Sequence, residues 1–176
     1  MSVRIPPLFA LVFFSFFIVL LSACSASKKA TQTTNISKPK PSSSTKTNVD
    51  GLVWFAKKQL NTPYKYASAD PKNGGLDCSG FLFYVFTHFD IKVPRTSYDF
   101  SAYGTTVQKS NAQKGDVIVF TGSDANVKKA GHVGIITETT KDDVLFIHAS
   151  TTKGVIINKL SEPYYAKRFI KIVRIL

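Results

Sequence analysis

The chain has 176 residues, which is room for one ordinary domain. Its 23 Lys and Arg against 11 Asp and Glu give a net charge of +12, which calls for an anionic partner: nucleic acid, anionic lipid or a carboxylate-bearing cell-wall polymer. The charges are dispersed, with no block of one sign, which argues against a basic nucleic-acid-binding tail.

The chain opens on MSVRIPPLFALVFFSFFIVLLSAC. One early charge, Arg4, precedes an apolar run from Leu8 to Leu21 and then small residues, the layout of a secretory signal peptide. The run falls short of the ~20 apolar residues that a membrane span needs. Leu21-Ser22-Ala23-Cys24 resembles the lipobox of bacterial lipoproteins. That resemblance implies removal of residues 1–23 and lipidation of Cys24. In two-membrane bacteria an aspartate after the lipidated cysteine tends to retain such proteins in the inner membrane, whereas here Ser25 follows. The implied location is the outer membrane, facing the periplasm, or the outer face of the cell membrane where the source has only one. Export removes nucleic acid from the expected partners and leaves the membrane, reached through the lipid.

Residues 24–46 follow as the lipidated cysteine and a stretch rich in Ser, Thr, Lys and Pro, SASKKATQTTNISKPKPSSSTK. Too little of it is apolar to order itself. It reads as a flexible tether averaging roughly 25 Å.

The folded domain is expected over residues 47–176. Val49, Leu52, Val53, Ala56 and Leu60 fall at helical spacing, and Asn61-Thr62-Pro63 ends that helix. YKYASADPKNGG, residues 64–75, is a loop dense in turn formers. SGFLFYVFTHF is apolar on nearly all sides and reads as a buried helix closed by Asp90 and Pro94. SYDFSAYG suggests a short helical segment. From residue 116 the period changes: DVIVF, HVGIITE, VLFIHAS, GVIINKL and FIKIVRIL read as five antiparallel strands. Helices first and strands second make the class α+β, one helical layer on one sheet.

With Cys24 lipidated, Cys78 is the only thiol left in an exported chain, either intermolecularly paired or reactive. It falls at the start of the buried helix, where unpaired amides and the helix dipole favour an anion. That placement is expected to lower the thiol pKa, and a nearby imidazolium would lower it further. Ser79 and Gly80 leave room for a substrate backbone. Of the three histidines, His88 lies nearly three turns along the same helix and takes a cap or packing role. His132 and His148 lie on successive strands, and a register centred on Thr140 would set them directly opposite on one face. A thiol, a base and a polar group to orient the base are the parts of a nucleophilic triad.

LDCSGF, KGDVIVF, GHVGI and IHAST, in that order and spacing, resemble the NlpC-type papain-like cysteine peptidases of bacteria, which cleave peptidoglycan stem peptides. The likeness extends to VPRTSY and GVIINKLSEPYYAKRF, typical of a small one-domain lipoprotein branch. It implies a papain-like α+β fold, with Cys78 as nucleophile, His132 as general base and His148 orienting His132. Tyr64 matches a tyrosine that positions the nucleophile or stabilises the oxyanion, with Tyr66 as its rival. The usual Gly-Gly after the tyrosine is Ala67-Ser68, and Phe100 or Ser101 replaces a common glutamine; both changes bear on specificity. The implied enzyme acts as a monomer on peptidoglycan peptide, with no metal or organic cofactor. The alternatives are a papain-like amidase or acyltransferase, a non-catalytic peptidoglycan-binding lipoprotein, and a zinc site built from Asp77, Cys78, His132 and His148.

Overall fold

A computed structural model describes residues 48–176, and the signal, lipidation and tether readings lie outside that range. Helix α1, Val49–Lys58, starts where the Asn48 side chain accepts the Gly51 amide at 2.9 Å. It buries Leu52, Val53 and Ala56, and ends before Asn61, whose φ of 69° no helix accommodates. A small hairpin of β1, Ala69–Asp70, and β2, Gly75–Leu76, lies inside the stretch expected to be loop. Helix α2, Cys78–Thr87, packs against the main sheet on one side and against α1 on another. Its sandwiched position explains why its sequence lacks a wide polar face.

Helix α3, Ser97–Phe100, precedes a six-stranded sheet. The strands are β3, Thr105–Val107; β4, Val117–Thr121; β5, Ala130–Thr139; β6, Val144–Ser150; β7, Gly154–Lys159; and β8, Phe169–Arg174. Their order is β3-β8-β4-β5-β6-β7, antiparallel throughout. The expected five strands are present, and β3 is added at the edge. It is three residues long and largely exposed, so it carries no readable alternation.

Both faces of the sheet are covered. Val117, Val119, Val133, Ile135, Ile147 and Ala149 join α1 and α2 in one core. Ile118, Phe120, Ile136, Phe146 and Ile172 build a second core on the opposite face, with Leu160 and Tyr165. Tyr165 belongs to α4, Pro163–Arg168, a helix the apolar pattern does not announce. The expectation of a single helical layer therefore gives way to helices on both faces.

The register also differs from the one centred on Thr140. Ile135 pairs with Ile147 and Ile136 with Phe146, so Gly134 stands opposite His148, and a bulge between Ile136 and Glu138 resets the pairing toward the turn. His132 and His148 are thus offset diagonally by two residues. A two-residue offset keeps both on one face, where a slip of one would have separated them. Gly134 makes the offset work: a Cβ there would lie 2.9 Å from the Phe146 ring and 3.2 Å from His148 Cβ. Without that Cβ, His148 has room to meet His132.

Candidate active site

Cys78 is the first residue of α2, and Asp77 caps the helix. Asp77 Oδ1 accepts the Gly80 amide at 2.6 Å and the Ser79 hydroxyl at 3.2 Å. Arg95 donates to both Asp77 oxygens, at 3.0 and 2.6 Å, and to Ser79 Oγ at 3.0 Å. The buried carboxylate is therefore neutralised by the arginine of VPRTSY, a partner that sequence spacing alone does not reveal. The space at Ser79 and Gly80 is used internally, not left for substrate: a Cβ on Gly80 would meet the Ser68 carbonyl oxygen at 2.0 Å. Ala67, where the family pattern has glycine, takes a φ of 59° so that Ser68 can make this approach.

Cys78 is 8% exposed, with Sγ 3.4 Å from Ser97 Oγ and 4.0 Å from the Gly131 carbonyl. Burial pushes its pKa up, and Asp77 adds to the rise; the Ser97 hydroxyl and the amides of Ser79 and Val133 only partly oppose it. The expectation of a lowered thiol pKa is therefore corrected: desolvation outweighs the hydrogen bonds that favour the thiolate.

His132 and His148 meet edge to face, with His132 Nε2 2.9 Å from His148 Nδ1. Their protons can be assigned from the far end of a chain of hydrogen bonds. The Glu162 carboxylate accepts Asn158 Nδ2 at 3.0 and 2.8 Å, and also the Lys159 amide at 2.8 Å. Asn158 Oδ1 therefore faces His148 Nε2, at 3.0 Å, and can only accept. Tyr165 reinforces the junction, its hydroxyl 3.2 Å from Asn158 Oδ1 and 3.1 Å from His148 Nε2. Neutral His148 carries its proton on Nε2, so its Nδ1 accepts from His132 Nε2. The nitrogen of His132 left with a lone pair is Nδ1. Burial pushes His132 down to about 3, with His148 contributing next, and burial also lowers His148. Both rings rest neutral.

Tyr64, Cys78, His132, His148 and Asn158 line one cleft of about 500 Å³. Of the two candidate tyrosines, Tyr64 lines this cleft, whereas Tyr66 is 85% exposed and does not. Burial raises the Tyr64 pKa, with Cys78 a second cause, so its hydroxyl stays a donor. His88 is outside the cleft, stacked on Phe55 at 3.8 Å at the end of α2. The zinc alternative meets a geometric obstacle. His132 Nε2 and His148 Nδ1 are turned toward each other, and among the described residues no three Cys, His, Asp or Glu converge as a ligand set. Ser97, Arg95, Asn158, Glu162 and Tyr165 are the site's contributors that sequence reading missed. Of these, Asn158 had a signal: it is polar within the apolar run of GVIINKL.

The model of the NlpC/P60 family matches residues 61–174. The murein DD-endopeptidase MepS/murein LD-carboxypeptidase of Escherichia coli K12 is 34% identical over 113 residues, 64% of this chain and 56% of that protein. The chain thus spans little more than half the length of that relative. The probable endopeptidase NlpC of the same organism is 37% identical over 116 residues, covering 65% of this chain and 70% of that one. The crystal structure of an NlpC/P60 family protein from Bacillus cereus superimposes with a TM-score of 0.65 at 30% identity, over 73% of this chain and 40% of the other.

Two measurements check this site. Nitrogen-15 NMR of the imidazoles should find both His132 and His148 protonated on Nε2 at neutral pH, with the His148 assignment lost in Asn158→Ala; a proton on His132 Nδ1 would contradict the chain of donors. Alkylation of Cys78 by iodoacetamide should test the resting thiol. Its pKa is raised and that of His132 lowered, so the thiolate fraction should climb with pH beyond the ordinary thiol range. A rate plateau reaching down to pH ~5 would instead reveal a resting thiolate–imidazolium pair.

Proposed function

The chain belongs to the NlpC/P60 family, and from that membership we propose that it is a cysteine-type endopeptidase of the bacterial cell wall, hydrolysing amide bonds in peptidoglycan stem peptides or cross-links. The observation that carries this reading is the hydrogen-bonded His132–His148 pair lining one cleft with a thiol at a helix start. The names of the Escherichia coli relatives, an endopeptidase and carboxypeptidase of murein and a probable endopeptidase, support the same substrate. The net charge of +12 suits a polymer bearing carboxylates.

In the mechanism we favour, the neutral thiol loses its proton to His132 Nδ1 as Sγ attacks the amide carbonyl carbon. A C–S bond forms, and the carbonyl electrons move to oxygen. The Cys78 and Ser79 amides, which lack partners within α2, and the Tyr64 hydroxyl stabilise that oxyanion; one such donor is typically worth ~2.7–4 kcal/mol. His132 returns the proton to the amide nitrogen as the C–N bond breaks. Water, deprotonated by His132, then cleaves the thioester and restores the thiol. His148 keeps His132 in the tautomer that leaves Nδ1 basic. The chemistry calls on no cofactor.

The purified chain incubated with muropeptides should release new products seen by mass spectrometry. Cys78→Ala should abolish their release with little change in thermal stability. Turnover by Cys78→Ala would sink the thiol mechanism, and binding of muropeptides without release by the intact chain would favour a non-catalytic binding protein.

For the residues before 48, the sequence supports a cleaved signal at 1–23, a lipid on Cys24 and a tether to residue 46. This would place a monomeric peptidase on a membrane facing the wall, the outer membrane in a two-membrane source. Several acyl chains at ~0.8 kcal/mol per buried methylene hold far more firmly than one. A fatty-acid probe should label the wild type and not Cys24→Ala, which should leave the membrane fraction; an unlabelled wild type that still sediments with membranes would overturn lipidation.

A further inference from the structure

The cleft continues past the histidines to a cation that the chemistry above does not use. Three arginines lie among the described residues. Arg95 is paired with Asp77 and Arg174 with Asp116. Arg168, at the end of α4, lines the cleft and has no carboxylate partner among the described residues. It is nevertheless held in place. Its guanidinium stacks on Tyr164, 3.8 Å from the ring centroid, and donates to the carbonyls of Tyr164 at 3.3 Å and Ser123 at 3.1 Å. Its Nε is buried without a partner. The carboxylate nearest in sequence, Glu162, also lines the cleft but is engaged by Asn158 and the Lys159 amide. Lys153 adds a second cation to the lining, likewise in no ion pair.

A half-buried cation has given up hydration and side-chain freedom, costs that an anion recovers. A position in the last turn of a helix, four residues after Tyr164, accounts for the bond to the Tyr164 carbonyl and for the stacking on its ring, but not for the link to Ser123. The planar fork of a guanidinium matches a carboxylate, and the aromatic face beneath it fixes the plane in which that carboxylate must arrive.

We propose that Arg168, assisted by Lys153, forms a subsite for a free carboxylate of the substrate peptide, so that the enzyme selects stems that are carboxylated over those that are amidated. The proposal rests on the peptidase reading for the identity of the peptide. Arg168 is a binding and specificity residue, with no part in the proton transfers.

Isothermal titration at ~0.15 M salt, which screens the general positive charge, tests it in the full chain carrying Cys78→Ala. The probes are a synthetic stem tetrapeptide with free carboxylates and the same peptide with every carboxylate converted to carboxamide. The acid should bind about tenfold or more tightly than the amide, as a charged hydrogen-bonded pair does. Arg168→Gln should bring that ratio close to one and Arg168→Lys should keep part of it. Lys167→Gln, which removes an equal charge from α4 outside the cleft, should leave the ratio unchanged. Equal binding of acid and amide by the protein that retains Arg168, binding of neither, or a folded Arg168→Gln that keeps the full preference would each overturn the subsite. Carboxylate-dependent binding with no hydrolysis by the Cys78-containing chain would support the subsite and count against the peptidase reading instead.

Discussion

A buried imidazole cannot leave its protons to solvent; its neighbours must assign them. That constraint organises the second face of the sheet. The assignment begins at Glu162, which can only accept, and passes through Asn158 and His148 to His132. Each link needs a separate piece of the fold. β7 delivers Asn158, the turn before α4 delivers Glu162, and α4 itself delivers Tyr165. Gly134 and the bulge after Ile136 let β5 and β6 bring the histidines together across a diagonal. Phe120, Phe146 and Tyr165 pack around the rings and supply the desolvation that keeps both neutral.

The thiol is built by an independent set of constraints. Asp77 ends the small hairpin's excursion and caps α2, and Arg95 allows that carboxylate to be buried beside a sulfur without leaving an unpaired charge. Gly80 lets the Ser68 carbonyl close over the helix start. These contacts fix the position of Cys78 but do not ionise it, because Asp77 opposes the thiolate and burial penalises it further. The thiol thus belongs to one core, and the histidine pair packs against the aromatic rings of the other. On the mechanism proposed above, proton transfer between them is left to the step in which a carbonyl carbon takes up the sulfur's electrons.

Much of this was legible in the sequence. Cys78, His132 and His148 stand out because few residue types do such chemistry and because the two strands carry the histidines at the same parity. Parity was sufficient: the pairing differs by two residues from a symmetric hairpin, yet the face is unchanged. The thiol's state was not legible, since the dipole of a helix start can be read from a pattern, whereas the burial that raises the pKa depends on the Ser68 loop and on α3. Arg95, Asn158 and Glu162 were hidden for a related reason. Each is an ordinary polar residue whose role exists only once a strand or turn distant in sequence faces it. β3 and α4 were missed because three and six residues carry too few periods to read.

A neutral resting pair also fits the chemistry of a lone thiol. Thiolates are the form that oxidants attack, and exposure governs how fast. If the chain works outside the reducing cytosol, as its first 24 residues imply, a Cys78 held as thiolate would be exposed to oxidation between turnovers, with no second cysteine among the described residues to rescue it. On the proposed mechanism, burial that raises its pKa would delay ionisation until a carbonyl is in place to accept the charge, and the same burial would preserve the thiol. On that mechanism, all the driving force for proton transfer must come from the attack itself, from an oxyanion held by amides and from a base whose tautomer is already set. The long hydrogen-bonded chain behind His132 is what a mechanism without a preformed ion pair requires, because orientation is the only advantage that a neutral imidazole can hold in reserve.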